Sequence, residues 1–339
     1  MGRNLEDLLI FVGKRMLELL PVLLGVIVLT FLITHVAAIN PCPRWYPKAS
    51  YAVLAHCQAQ FSLPLTTQFW NYFTQLLAGN WGASQLGVPV YPVIASAVPA
   101  TVELVLASLF LMIVIGIPLG VIAAQFAGRW GDHLVRVLYL SGWSVPTYVG
   151  SIIAAVFLAP YLGLPTSGEY SAPPPFTQIT HMSVVDAILA GNFPYTIDAI
   201  NHLVLPAAVL AFINMGIATR MTRASMLEVL PLDYVKAARM KGLSNFLVLY
   251  KHALRNALIA TVTVLGLTAG GLLAGTVVIE EVFAWPGIGA YAFSVLGGGG
   301  QPNFDGAIAV TIVFAIGVVV ANLISDILYG VLDPRVEWR

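Results

Sequence analysis

The sequence predicts an all-α integral membrane protein with six transmembrane helices, and three observations carry that prediction. Mean hydropathy is +0.85, and of 339 residues 58% are hydrophobic and only 9% charged. Six stretches with charge-free centres, roughly 17–39, 101–127, 137–161, 202–221, 256–279 and 306–328, are long enough to cross about 30 Å of hydrocarbon. In lipid a backbone must satisfy its own hydrogen bonds, which makes spans of that length helices. Finally, the basic residues fall almost entirely in alternate connections, as they do when a chain crosses a membrane repeatedly.

The elements follow in order. Residues 4–16 predict an amphipathic helix lying on the membrane surface, as the N-terminal segment 1–16 before the first span. The apolar run 8–12 is too short for a signal h-region, and the run 21–39 ends without a small-residue cleavage site, so the first span is expected to stay. The connection 40–97 is long for a loop and should contain structure of its own. It holds both cysteines, Cys42 and Cys57, fifteen residues apart. In an oxidising compartment a bond between them would stabilise the loop by about 3 kcal/mol; two free thiols are the alternative.

The same connection is aromatic-rich, with Trp45, Tyr46, Tyr51, Phe61, Phe69, Trp70, Tyr72, Phe73 and Trp81. These either anchor at headgroup level or form a docking surface for an external partner. Pro118, Pro146 and Pro206 predict kinks in spans two to four, covered by neighbouring helices. The connection 162–201, with Pro165, Gly168, Pro173, Pro174, Pro175, Gly191 and Pro194, predicts turns and at most a short helix. The glycine run 297–300 predicts a flexible turn before the last span.

Fourteen of the sixteen Lys and Arg lie on one side: Arg3, Lys14 and Arg15, then Arg129 and Arg136, then seven between spans four and five, then Arg335 and Arg339. Only Arg44 and Lys48 lie on the other. By the positive-inside rule both termini are cytoplasmic, and so is the loop after span four. That loop contains DYVKAARMKG (233–242), with Asp233, Lys236, Arg239 and Lys241 ionised within ten residues. As a helix it places Tyr234, Ala237, Ala238 and Lys241 near one face, with Gly242 as its stop. On composition alone it reads equally as a solvated basic loop touching anionic lipid.

Other chemistries are poorly served. The net charge is zero, which gives no bias toward nucleic acid. No Gly-x-x-x-x-Gly-Lys-Ser/Thr loop is present to hold ATP. His35, His56, His133, His181, His202 and His252 are scattered without zinc-ligand spacing, so no metal is expected. Glu103, Glu280, Glu281 and Asp326 lie near predicted helix ends, where snorkelling and interfacial partners account for them. No proton or sodium relay is visible, which argues against an ion-coupled carrier acting alone.

Lys236-Ala-Ala-x-x-x-Gly242 followed by His252-x-Leu254-x-Asn256 resembles the EAA loop of binding-protein-dependent ABC importer permeases, and most of all the first-subunit type of the dipeptide/oligopeptide family. The resemblance extends to Arg220-Met-Thr-Arg223, Pro99-Ala-Thr-Val-Glu103, Gly116-Ile-Pro118-Leu-Gly120, Val278-Ile-Glu280, Phe283-Ala-Trp285-Pro286-Gly287-Ile-Gly289 and Leu332-Asp333-Pro334-Arg335, in order over most of the chain. Two positions depart: Lys236 stands where the general motif has Glu, and Arg255 where the wider superfamily has Pro.

The resemblance implies a type I ABC importer permease fold over 17–335, with an external loop domain at 40–97 and a cytoplasmic coupling loop at 222–255. In such permeases the EAA loop docks in a groove of an ATP-binding subunit. Asp233, Tyr234, Lys236, Ala237, Ala238, Arg239, Lys241 and Gly242 are thus the expected coupling residues. It further implies a second, homologous permease subunit, two cytoplasmic ATPases that hold ATP and Mg, an external substrate-binding protein, and alternating access in the plasma membrane. The cargo would be oligopeptides, or alternatively oligosaccharides of cellobiose type or nickel chelates. Ser144, Tyr148, Asn214, Thr268 and Gly271, with Ser141, Thr147, Thr222, Thr263, Gly270 and Gly275, would suit a wet path; ordinary helix packing selects the same small residues. The series Gly266, Gly270, Gly271 and Gly275 is expected to pack closely, against the partner permease.

Overall fold

The computed structural model describes residues 5–36, 42, 51–83, 88–298 and 303–332. Among the described residues there is no sheet, only an isolated bridge between Ala83 and Pro89. The first helix, α1 (Leu5–Val36), runs through Pro21 without a break. The surface helix predicted for 4–16 is therefore not a separate element. Nothing between it and the span stops a helix, and Arg15 finds partners along the way, Glu18 one turn on at 2.9 Å and Asp326 of the last helix at 3.3 Å.

Two helices, α2 (Tyr51–Phe61) and α3 (Leu65–Leu77), stand in the first connection. Phe69 and Tyr72 of α3 pack on Phe31 of α1, with ring centroids 5.2 and 5.8 Å apart. Their role is to hold α3 to α1, while Tyr51 and Trp70 remain exposed. Trp45 and Tyr46 lie outside the described residues. So does the 299–300 half of the predicted glycine turn, of which Gly297 has φ +100°.

The second span comprises α4 (Val90–Leu111), a π-helical turn at Met112–Gly116, and α5 (Ile117–Gln125). The third is α6 (Trp130–Ser144) and α7 (Thr147–Ile153), followed by a second π turn at Ala154–Leu158 and α8 (Ala159–Leu162). Each π turn is followed within two residues by a proline, Pro118 or Pro160, which has no N–H to continue the ladder. The predicted kink at Pro146 is a full break. Val145 is extended and the two halves meet at 103°, since a residue before proline is pushed out of the helical region. Among the described residues five helices are thus long and apolar enough to cross a membrane singly, and the bent pair, taken as one span, makes a sixth.

After a short α9 (Ser183–Leu189) comes α10 (Phe193–Val229), far longer than the predicted 202–221. It continues because 220–229 are good helix formers, with Thr222, Ser225 and Met226 buried. It is the central helix: 67% of its apolar window is buried, against 11% for α1, and it touches α4, α5, α6, α7, α9 and the fifth span. A turn leads to α11 (Asp233–Met240), then a π turn at Leu247–Ala253, α12 (Leu254–Val282), α13 (Ile288–Phe293), and α14 (Phe304–Leu332), which packs on α12 and α1.

The end of the bundle away from the basic residues is closed by two buried glutamates. Glu103, inside α4, accepts hydrogen bonds from Ser183 N, Ser183 Oγ and Val184 N at 2.7–2.9 Å, capping α9. Glu280 accepts from Thr101 Oγ1 at 2.7 Å and from the backbone N–H groups of Gly289 and Ala290 at 2.7 and 3.0 Å, capping α13. Snorkelling therefore does not describe these two residues: they are 6% and 0% exposed. Each instead satisfies the free N–H groups of a helix start. Trp285, fully buried, donates from Nε1 to the carbonyl of Ala100 at 2.9 Å and ties the same corner to α4.

Glycines set the closest approaches. A Cβ on Gly120 would come within 2.6 Å of Thr222 Cβ, and one on Gly142 would collide with the carbonyl oxygen of Phe212. Gly266 and Gly270 receive Ser325, Ala321 and Val318 of α14, and Gly275 faces Leu210; of that series only Gly271 is open. Two of the four glycines expected to meet a partner subunit, Gly266 and Gly270, are instead covered by the chain's own last helix. Gly142→Ala should destabilise the purified protein by about 1–3 kcal/mol, seen as a lowered thermal midpoint in detergent. Gly25→Ala, with nothing within 4 Å, should be neutral or slightly stabilising.

Candidate functional site

The segment 233–242 projects from the basic end of α10. Leu230 and Leu232 close the turn through bonds to the carbonyls of Met226 and Val229 at 2.9 and 3.1 Å, and α11 starts at once. Its sequence splits into two faces. Val235 and Ala238, 0% and 6% exposed, join the core that includes Val248, Leu249 and Ala253. Asp233, Tyr234, Lys236, Arg239, Met240, Lys241 and Gly242 are exposed, and Ala237 is half-buried. Ala238 thus serves close packing inside the chain, so it is not on the outer face where the sequence reading put it.

The helix ends on Gly242, whose φ of +74° lets its N–H return to the carbonyl of Arg239 at 3.0 Å; only glycine adopts that conformation without cost. Asn256, at the base of α12, donates to Tyr234 Oη at 2.8 Å, so both ends of the loop are tied together. Lys236 and Asp233 pair at 3.0 Å in full solvent, an interaction of little energetic consequence. Around the charges stand exposed apolar side chains that the sequence did not single out: Leu232, Met240 and Phe246, the last stacked on Tyr250 at 4.6 Å. Exposed apolar groups beside a short charged helix are what a docking surface presents.

Beneath the segment lies a second feature missed from sequence. Asp132, fully buried, accepts from Arg223 Nε and Nη2 at 2.8 Å each, from Arg136 Nε and Nη2 at 3.1 and 2.7 Å, and from Gly128 N at 3.0 Å. The only hint was Asp132 lying four residues before Arg136.

Among the described residues no side-chain hydrogen bond joins the predicted path residues Ser144, Tyr148, Asn214, Thr268 and Gly271 to one another. Ser144 and Tyr148 flank the break in the third span and are exposed, as is Gly271 on α12. Asn214 and Thr268 are half-buried and donate to carbonyls four residues back, Leu210 and Val264, at 2.9 and 2.7 Å; Ser144 does the same with Leu140 at 2.8 Å. Thr222 is fully buried, its Oγ1 3.2 Å from Thr261 Oγ1, so it belongs to helix packing. Among the described residues no group of three His, Cys, Asp or Glu could hold a metal ion. Cys42 is buried and disulfide-bonded, and the side chain of Cys57 lies outside the described residues.

A multi-span helical bundle with a charged helix projecting from the basic end of its central helix is the architecture of a transport permease, and comparison with known proteins makes the class specific. Residues 116–338 match the model of the binding-protein-dependent transport system inner membrane component. The chain is 38% identical over 331 residues to the probable D,D-dipeptide transport system permease protein DdpB of Escherichia coli K12, covering 95% of this chain and 96% of the relative. It is 36% identical to the dipeptide permease DppB of Alkalihalophilus pseudofirmus (98% and 100% covered) and 34% identical to the oligopeptide permease AppB of Bacillus subtilis (97% and 99%). Its fold matches a chain of the MetNI methionine ABC transporter, in a structure of inward-facing conformations, with a TM-score of 0.54 at 18% identity, over 71% of this chain and 96% of that one. The protein belongs to the binding-protein-dependent inner-membrane permease family and is a multi-pass permease subunit of the ABC importer class.

One group in the connection 162–201 titrates unusually. Burial raises the Glu169 carboxyl to about 7, helped by the negative charges of Glu103 and Asp186, and its Oε1 is buried without a hydrogen-bond partner among the described residues. The folded segment therefore holds a proton that an unfolded chain releases at the ordinary glutamate value. Its stability contribution is full below that value and is lost as pH rises toward about 7. Hydrogen-exchange protection in 166–184 should fall between pH 5 and pH 8, after correction for intrinsic rates, and Glu169→Gln should remove the dependence.

Proposed function

We propose that this permease is one of two unlike membrane subunits of an ATP-driven importer, and that it carries short peptides handed over by an external binding protein. Two cytoplasmic ATPases bind ATP and Mg and hydrolyse the nucleotide, and segment 233–242 docks on one of them. Closure of the ATPases then moves α10, and transport proceeds by alternating access. The observation that carries this reading is the exposed helix 233–240, dense in charge, rimmed by Leu232, Met240 and Phe246 and continuous with the central helix. Peptide cargo is favoured by the relatives' names, which are dipeptide and oligopeptide permeases. The fourteen basic residues on one side support a cytoplasmic position for both termini and this segment. Cys57 is the proposed partner of Cys42, on the oxidising face.

A mild-detergent pull-down of the tagged chain from native membranes, with mass spectrometry and an ATPase assay on the same sample, tests the reading. It should return two ATP-binding subunits and a second permease, with hydrolysis stimulated by the binding protein loaded with dipeptide. Recovery of the chain alone without ATPase activity would sink it, and stimulation by cellobiose or nickel in place of dipeptide would overturn the cargo. Within the complex, Gly242→Val forces a β-branched residue to positive φ, at a cost of about 1–2 kcal/mol or more, and should abolish stimulation while leaving the chain in the membrane.

A further inference from the structure

The helices α6 and α10 run antiparallel and meet at three levels. At the basic end Asp132 of α6 takes the guanidinium fork of Arg223 of α10. Seven residues along each helix, Tyr139 lies against Gly216, where a Cβ would be 3.1 Å from its ring. Three further along α6 and four back along α10, Gly142 rests on the carbonyl of Phe212. The matched spacing marks two helices in one continuous register. Two of the levels are van der Waals contacts of small residues, which allow sliding. The third is a two-point ionic grip on a carboxylate that is 0% exposed, and its geometry does not.

Position gives this grip its meaning. Arg223 stands ten residues before Asp233 on the same helix and its turn. The far end of α6 is the Val145–Pro146 break, beyond which α7 packs on α10 and α12. Arg136 touches the same carboxylate, but it belongs to α6 itself.

We propose that the Asp132–Arg223 fork is a mechanical joint: it makes α6 move as one body with α10 and the segment 233–242, with Val145–Pro146 as the hinge where the moving part ends. Asp132 and Arg223 are positioning residues, acting through the helices they join. The inference rests on the docking role proposed for 233–242.

The two arginines separate this from a plain need to neutralise Asp132. Each removes one positive charge from the same carboxylate, yet only Arg223 joins two helices. The complete complex, in vesicles with its binding protein and radiolabelled dialanine, is assayed for dipeptide imported per ATP hydrolysed. That ratio is independent of how much protein assembles. Arg223→Gln should lower it about tenfold, in the range of ordinary coupling energies, while Arg136→Gln should stay within about twofold of wild type. Should Arg223→Gln fail to assemble, Arg223→Lys carries the test: it keeps the charge, replaces the fork by one donor, and should still fall below Arg136→Gln. Equal ratios for the Arg223 and Arg136 variants overturn the joint alone. A Gly242→Val complex that keeps the wild-type ratio overturns the docking reading and this inference together.

Discussion

Hydrocarbon offers no partner to a peptide group, and much of this structure follows from that constraint. Wherever the chain departs from a continuous helix near the membrane it brings its own acceptors and donors. Pro118 and Pro160 are each prepared for by a π turn that re-routes the backbone bonds. The two short helices at the end away from the basic residues begin where the backbone would leave N–H groups bare, and each is met by a glutamate from a spanning helix. A carboxylate is costly to bury, but three or four hydrogen bonds from oriented N–H and hydroxyl groups offset that cost. The glutamates thus fix the outer architecture and are more than decorations of helix ends.

The same logic orders the basic end differently. There the helices emerge toward water, side chains can be long and charged, and the close approaches are made by glycine against threonine, tyrosine and backbone. The central helix carries the segment 233–242 as a continuation of itself, with only a three-residue turn between them.

How much of this could be read beforehand depended on the range of the interaction. Hydropathy made the spans legible, because it is set by the solvent around each segment. The EAA resemblance located 233–242, since a short contiguous pattern suffices for it. What escaped were relations between distant residues. Asp132 and Arg223 are 91 apart, and Glu103 and Ser183 are 80 apart, so nothing local marked them as partners. Glu280 was misjudged for a related reason: a carboxyl near a helix end looks like an interfacial group until the chain is seen to fold back over it. Pro146 was legible as a disturbance but not as a 103° break, because the bend is completed by the packing of α7 between α10 and α12. Ala238 was placed on the wrong face because the periodicity of an eight-residue helix fixes which residues share a side, not which side is covered.

The two arginines on Asp132 also bear on how the chain is made. Arg136 is available as soon as α6 forms, one turn away, whereas Arg223 is synthesised 87 residues later, a delay on the order of ten seconds at ordinary translation rates. During that interval the carboxylate is already matched within its own helix and can wait at the membrane edge without an unpaired charge. When α10 arrives, the fork is added to a site held open by a resident counter-ion, so biogenesis of the bundle can proceed in the order in which its helices are born.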